Sequence, residues 1–401
     1  TMIIAESAIG RMTRKSPVGA FRSFAKGKKV GWLSFGGWIN AIIPVLIVPY
    51  YSVIGGWVVK YLFEYIRGNG SKLAEDGYFS GFISNGGATE ICFVIFCMFT
   101  LVIIYAGVQN GIERVSKIMM PILIVLSVII AIYSVTRPGA IEGVKYFLVP
   151  NVKNFSWMTV VAAMGQMFYS LSIAMGILVT FGSYMRKDTS IEDSTRNVEI
   201  FDTAIAMMAG LMIIPAVFAF SGGDPDTLQA GPSLMFITIP KVFANMGFGT
   251  AVGILFFVLV LFAAVTSSIA LTESAVSTFE DELGWGRKKA TVLTGVIMIA
   301  LGTLSCLGYG PLDFVKIIGM QFLDFFDFLT NSVMMPIAAL MTSLLVSRVI
   351  GVDKIEEEIR HGESAFRRKK IFVVMIKYLC PIFALIILAS SVANAFGWIV
   401  M

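Results

Sequence analysis

Charge and histidine are scarce in this chain. Only 14% of its 401 residues are Asp, Glu, Lys or Arg, and His361 is the sole histidine. The low charge excludes an ordinary soluble domain, in which roughly a quarter of residues are charged. The single histidine, set in a charged loop, leaves little room for a His-based catalytic centre or a His-liganded metal. Cysteine is sparse as well. Cys92, Cys97, Cys306 and Cys380 sit singly in apolar runs without a CxxC, so they read as buried small residues rather than a disulfide framework. No signal-peptide pattern opens the chain. TMIIAESAIGRMTRKSP begins inside an apolar stretch and turns charged by Arg11.

What is abundant is apolar length. Hydrophobic residues make up 57% of the chain, which fits a polytopic membrane protein. At ~20 residues per span the length accommodates about ten spans. The long apolar runs lie at 30–66, 89–106, 112–135, 157–184, 197–221, 248–279, 290–307, 315–346 and 371–400. Between them, 14–29 reads as a basic loop suited to the membrane surface, 67–88 and 136–156 as loops, and 347–370 as the longest charged loop. The half-apolar stretch 222–246 reads as a segment that dips back into the protein. If the opening partial helix exits to the cytoplasm, 22 of the 31 lysines and arginines fall on the cytoplasmic side and seven on the other. The cytoplasmic set includes Lys26, Lys28, Lys29, Arg287 to Lys289 and Arg367 to Lys370. This bias orients the chain. It assigns the net charge of +5 to the inner membrane face rather than to nucleic acid.

One run is interrupted. At its centre, GQMFYSLSIAMG (165–176) carries Gly165, Gln166, Ser170, Ser172 and Gly176 where Leu, Ile and Val are expected. Two readings stand. The segment is two half-helices joined by an unwound turn near 170–175, which frees carbonyl oxygens for cations. Alternatively it is one helix packed through small faces. Ionisable residues within spans are functional candidates by default: Glu6, Asp202, Glu273, Asp324 and Asp327. Each also fits a satisfied structural acid near a helix end. No basic residue stands at matching depth in the sequence. Asp202, Ser170 and the cluster at Ala263, Thr266 and Ser267 offer only oxygen, which suits alkali or alkaline-earth ions. Tyr50, Tyr51 and Tyr169 add polar aromatics within spans, a pattern equally served by packing.

These strings resemble the bacterial neurotransmitter:sodium symporters of the LeuT fold. IAESAIGR (4–11) resembles the end of family helix 2 and PYYSVIGGW (49–57) helix 3. GQMFYSLSIAMGILVTFGSYMRKD (165–188) resembles helix 6, and FAAVTSSIALTE (262–273) with FEDELG resembles helix 8. The resemblance implies an all-α polytopic bundle of inverted repeats with a broken helix at the midplane. It implies one transmembrane transporter domain over 1–401, from the end of helix 2 through helix 11. On this reading the chain is truncated at its N-terminus, without helix 1 and most of helix 2.

Site residues follow from the same resemblance. A first sodium site falls on Ser170 and Asp202, and a second on Ala263 (through its carbonyl), Thr266 and Ser267. The substrate pocket falls on Ile47, Tyr51, Tyr169, Ser170, Ser172, Met175, Ser268 and Leu271. Tyr51 is expected to hold the substrate carboxylate and Tyr169 to act as outer lid. Asp327 is the outer gate acid and Asp281 the inner one. Glu6 is expected to brace the unwound turn. The family's chloride site falls on Gln166 and Ala206. Ala206 has no hydroxyl and Asp202 stands one turn earlier, so no chloride is expected.

The function implied is sodium-coupled symport of a hydrophobic or aromatic L-amino acid by alternating access, in the inner (plasma) membrane of a bacterium. The partners are a small amino acid, sodium and membrane lipid. The chain is not expected to be an enzyme: no nucleophile–base pair supports an intramembrane hydrolase. The rival is a non-transporting membrane binding or regulatory protein, an inactive truncated relic of such a symporter. No oligomeric state follows from the sequence.

Overall fold

A computed structural model describes residues 1–25, 31–224, 228 and 231–398. Lys26, Lys28 and Lys29 of the basic run lie outside the described residues. The described chain is helical, with one isolated bridge between Ile317 and Met320 in place of any strand. In order the helices are α1 (Met2–Thr13), α2 (Pro17–Ala25), α3 (Ser34–Ile66), α4 (Gly70–Leu73), α5 (Tyr78–Ser84), α6 (Gly86–Tyr105), α7 (Arg114–Val135), α8 (Ala140–Leu148), α9 (Trp157–Ser170) and α10 (Ile177–Tyr184). There follow α11 (Ile191–Ser221), α12 (Ile239–Ala244), α13 (Gly249–Leu283), α14 (Arg287–Leu307), α15 (Phe322–Asp327), α16 (Met335–Leu344), α17 (Val352–Arg360), α18 (Lys369–Val374) and α19 (Cys380–Ala395). π-Helical turns join α15 to α16 and α18 to α19 into single spans, Phe322–Ile350 and Lys369–Ala395. Among the described residues eight helices are long and apolar enough to cross a membrane.

Burial sorts these spans. In α3, 67% of the most apolar window is buried, against 28% in α7, α11 and the α18–α19 span. A helix apolar on all sides belongs inside the bundle when its neighbours cover it. Here α13, α6, α14 and α2 pack on α3. The short α1 lies along α10 at close range. A Cβ at Gly10 would sit 2.0 Å from the Val179 carbonyl oxygen, so only glycine permits that approach.

Several segments differ from the sequence expectation. Residues 17–25 are not a loop. They form α2, with Pro17 to Phe21 buried against α3. Its start is held by the Ser16 N–H, which donates to Asp281 Oδ2 at 2.5 Å. The expected loops 67–88 and 136–156 contain α4, α5 and α8. α11 starts at Ile191, earlier than the apolar run, because Ser190 caps it by accepting from the Asp193 N–H. The span expected over 315–346 is displaced toward the C-terminus, to Phe322–Ile350. The stretch 231–246 does dip inward: Phe236, Ile239, Val242 and Phe243 are buried. From the same stretch, the Lys241 ammonium lies 2.5 Å from Asp76 and holds that carboxyl below its usual range.

Candidate substrate and ion site

The interrupted run is two half-helices. Ser156 opens α9 with a capping box shared with Thr159, and the helix ends at Ser170. α10 begins at Ile177. Between them Ser172 (φ 53°), Ala174 (φ 60°) and Gly176 (φ 71°) all adopt left-handed backbone. Each of the two non-glycine residues costs ~1–2 kcal/mol there, so the surroundings must hold the turn. Glu6 of α1 does so by accepting the Ala174 N–H at 2.9 Å. From the other side a Cβ at Gly176 would meet the Asn40 carbonyl at 2.7 Å and Pro17 at 2.8 Å. Glycine there satisfies both the positive φ and the close approach of α2 and α3. The turn sets the carbonyl end of α9 and the N–H end of α10 near one point, as ion and carboxylate binding require.

A cavity of 480 Å³ lies beside this turn. Every residue expected in the substrate pocket lines it except Ser268: Ile47, Tyr51, Tyr169, Ser170, Ser172, Met175 and Leu271. Thr266 and Ser267 line it too, with Gln166, Met120, Ile177 and Ala270. Gln166 is the residue of the expected chloride position, and Ala270 precedes Leu271 on the same helix. Met120 comes from α7 and carries no signal in the sequence beyond apolarity. Ser268 is fully buried behind the wall, where its hydroxyl accepts from Thr100 Oγ1 at 3.1 Å. No charged side chain lines the cavity among the described residues.

The oxygen-bearing side chains fall into two groups. Thr266 Oγ1 donates to the carbonyls of Phe262 and Ala263, both at 3.0 Å, so the Thr266 and Ala263 oxygens stand together at one point of α13. Ser267 faces the Tyr51 hydroxyl. In the second group Ser170 Oγ donates to Asp202 Oδ1 at 2.6 Å. Asp202 itself lines a separate 400 Å³ cavity with Glu199, Phe168 and Ile173. Ser170 thus belongs to the substrate-side cavity while its hydroxyl reaches the carboxylate of the other.

The remaining acids have protein partners. Asp327 Oδ1 accepts from the Tyr50 hydroxyl at 3.2 Å and from Asn331 Nδ2 at 2.6 Å. Asp324 accepts from Tyr309 at 3.2 Å. Asp281 accepts from the Ser16 N–H. Glu273 corrects the expectation that the deep acids have no basic partner. Arg287 donates to both its oxygens, at 3.0 and 2.5 Å, and Tyr184 donates to Oε1 at 2.7 Å. The chain turns back tightly after α13, so the first residue of α14 returns alongside a glutamate that lies in the apolar run. Depth judged residue by residue along one run does not register that return.

Comparison with known proteins now bears on this arrangement. The profile of the sodium:neurotransmitter symporter family matches residues 78–397. The chain belongs to that family. It is 33% identical to the uncharacterized sodium-dependent transporter YhdH of Bacillus subtilis, over 98% of this chain and 86% of that protein. It is 31% identical to an uncharacterized sodium-dependent transporter of Haemophilus influenzae, over 97% of this chain and 86% of the relative. The crystal structure of MhsT in complex with L-phenylalanine superposes with a TM-score of 0.85 at 34% identity, covering 97% of this chain and 88% of that one. The architecture is therefore the LeuT fold. The protein is a sodium-dependent symporter of the family, a transporter and not an enzyme, and it crosses the plasma membrane several times.

Proposed function

We propose that this symporter carries a hydrophobic or aromatic L-amino acid, coupled to sodium by alternating access, and that residues 1–401 act as one transporter domain. The observation that carries the reading is the wall of the 480 Å³ cavity, which is apolar or hydroxyl-bearing apart from the Gln166 amide and, among the described residues, contains no charged side chain. A charged side chain buried there without a counter-ion is strongly disfavoured. An apolar one gains from Ile47, Met175, Ile177 and Leu271. The Tyr51 hydroxyl and the α10 N-terminus suit the amino-acid carboxylate. Ser170 with Asp202, and Ala263 with Thr266 and Ser267, are the sodium ligands on this reading. Ion binding there favours the substrate-competent state. The complex of MhsT with L-phenylalanine supports the same substrate class. Chloride is not required on this reading, because the Asp202 carboxylate supplies the negative charge near the first site.

The test is competition for sodium-dependent binding and uptake by the protein reconstituted in proteoliposomes. Phenylalanine, leucine, tyrosine or tryptophan should displace the labelled substrate, and lysine or glutamate should not. Strong displacement by lysine or glutamate alone overturns the substrate class. Sodium-dependent binding without any uptake overturns the reading that residues 1–401 act as one transporter domain.

A further inference from the structure

At the cytoplasmic ends of α6 and α14 the outer surface of the bundle carries a recess that substrate and ion transport do not use. It measures 480 Å³, and Tyr105, Trp285, Lys288, Lys289, Val292 and Val296 lie on its wall. Three consecutive basic residues open α14, and their side chains diverge. Arg287 turns inward to Glu273 and donates to the Ile104 carbonyl at 2.9 Å, tying α14 to α13 and α6. Lys288 and Lys289 are exposed, and no ion pair of the described residues includes either. The Lys288 ammonium stands 5.5 Å from the centroid of the Tyr105 ring. Val292 and Val296 follow Lys288 at intervals of four, so the three share one helix face. Both valines point outward, 61% and 60% exposed.

We infer that this recess binds an anionic phospholipid of the inner leaflet. Its charge and its apolarity are ordered along one axis. Two unpaired ammonium groups stand at the membrane surface, and the exposed valine track runs from them into the bilayer. A soluble anion uses only the lysines and leaves the valines idle. A neutral lipid uses the valines and leaves two cations without a counter-charge. A phospholipid with a net negative headgroup uses both. Tyr105 and Trp285 are residues that prefer the headgroup level, where ring and polar edge are both served. Basic pockets between helix ends on the cytoplasmic side favour anionic headgroups for the same electrostatic reason. The side is fixed by the lysine and arginine bias of the loops, and the inference does not depend on which substrate is carried.

Native mass spectrometry of the full chain released from vesicles of mixed phosphatidylglycerol and phosphatidylcholine tests it. The unsubstituted protein should retain phosphatidylglycerol in preference to phosphatidylcholine. Lys288→Gln with Lys289→Gln should lower that preference about tenfold. Lys153→Gln with Lys316→Gln, which removes the same charge from exposed positions on the opposite side, should leave it unchanged. Lys288→Arg with Lys289→Arg should keep it, which separates loss of charge from misfolding. Equal retention by the Gln double variant and the unsubstituted protein overturns the inference. So does release of the retained lipid by excess inorganic phosphate, which assigns the lysines to a phosphate ion alone.

Discussion

Thr266 and Ser267 put two hydroxyls on adjacent positions of α13, facing the cavity beside the Ala263 carbonyl. Hydroxyls serving only helix packing tolerate replacement by groups of similar shape. Sodium ligands do not. Thr266→Val with Ser267→Ala is expected to raise the sodium concentration needed for binding about tenfold, or ~1.4 kcal/mol. A sodium titration of substrate binding reads this directly, and an unchanged curve assigns the pair to packing. Asp202 invites a sharper test. Its Oδ1 accepts from Ser170 at 2.6 Å, and at ~4 Å with an effective dielectric of about 20 a carboxylate is worth roughly 4 kcal/mol to a sodium ion. Asp202→Asn should lose sodium affinity. Adding Ala206→Ser should restore part of it only when chloride is present. If Asp202→Asn leaves sodium dependence intact at equal fold stability, the carboxylate serves only to orient Ser170. Residue identity made the wall of the cavity legible, because hydroxyls and glycines at membrane depth are conspicuous. It did not reveal that Ser268 bonds to Thr100 behind the wall, since a one-position difference of helix face depends on packing.

Among the elements, the turn between α9 and α10 was the most legible, since small and polar residues interrupt an otherwise apolar run. The helices in the connecting stretches were not, because α2, α4, α5 and α8 are short and take their stability from packing rather than from a long periodic pattern. Glu6 shows how an element is held from outside. It is fully buried, and its Oε1 accepts the Ala174 N–H. Glu6→Ala leaves that N–H without a partner, which costs about 1–3 kcal/mol. The expected result is a lower melting temperature and weaker substrate binding together, since the turn borders the cavity. Loss of stability with unchanged binding limits Glu6 to packing. Near the end of α1, Arg11 ties that helix to α17 and to the turn before α11. It is fully buried, donates to Glu358 Oε1 of α17 at 2.6 Å and to the Thr189 carbonyl at 2.6 Å, and also reaches the Glu358 carbonyl. Arg11→Met alone strands a buried carboxylate and should destabilise by about 3–5 kcal/mol, whereas Arg11→Met with Glu358→Met should recover most of that loss. A double variant as unstable as the single one places the energy in the carbonyl contacts instead.

For the whole molecule, the sequence placed most spans because length and hydropathy decide them, and it missed contacts made when the chain doubles back, such as Glu273 with Arg287. Orientation rests on a different physical term, the bias of lysine and arginine between the two sets of loops. It predicts that Lys153, before α9, faces outward and that Lys354, on α17, faces the cytoplasm. Both side chains are exposed. The native thiols do not obscure a labelling experiment: Cys97, Cys306 and Cys380 are buried and Cys92 is half-buried. In intact cells a membrane-impermeant maleimide should therefore label the Lys153→Cys variant and leave the Lys354→Cys variant unlabelled until the membrane is permeabilised. The opposite pattern inverts the chain. It would place Lys288 and Lys289 on the outer surface and the Arg11–Glu358 contact at the outer mouth, so orientation and lipid recess stand or fall on the same pair of cysteines.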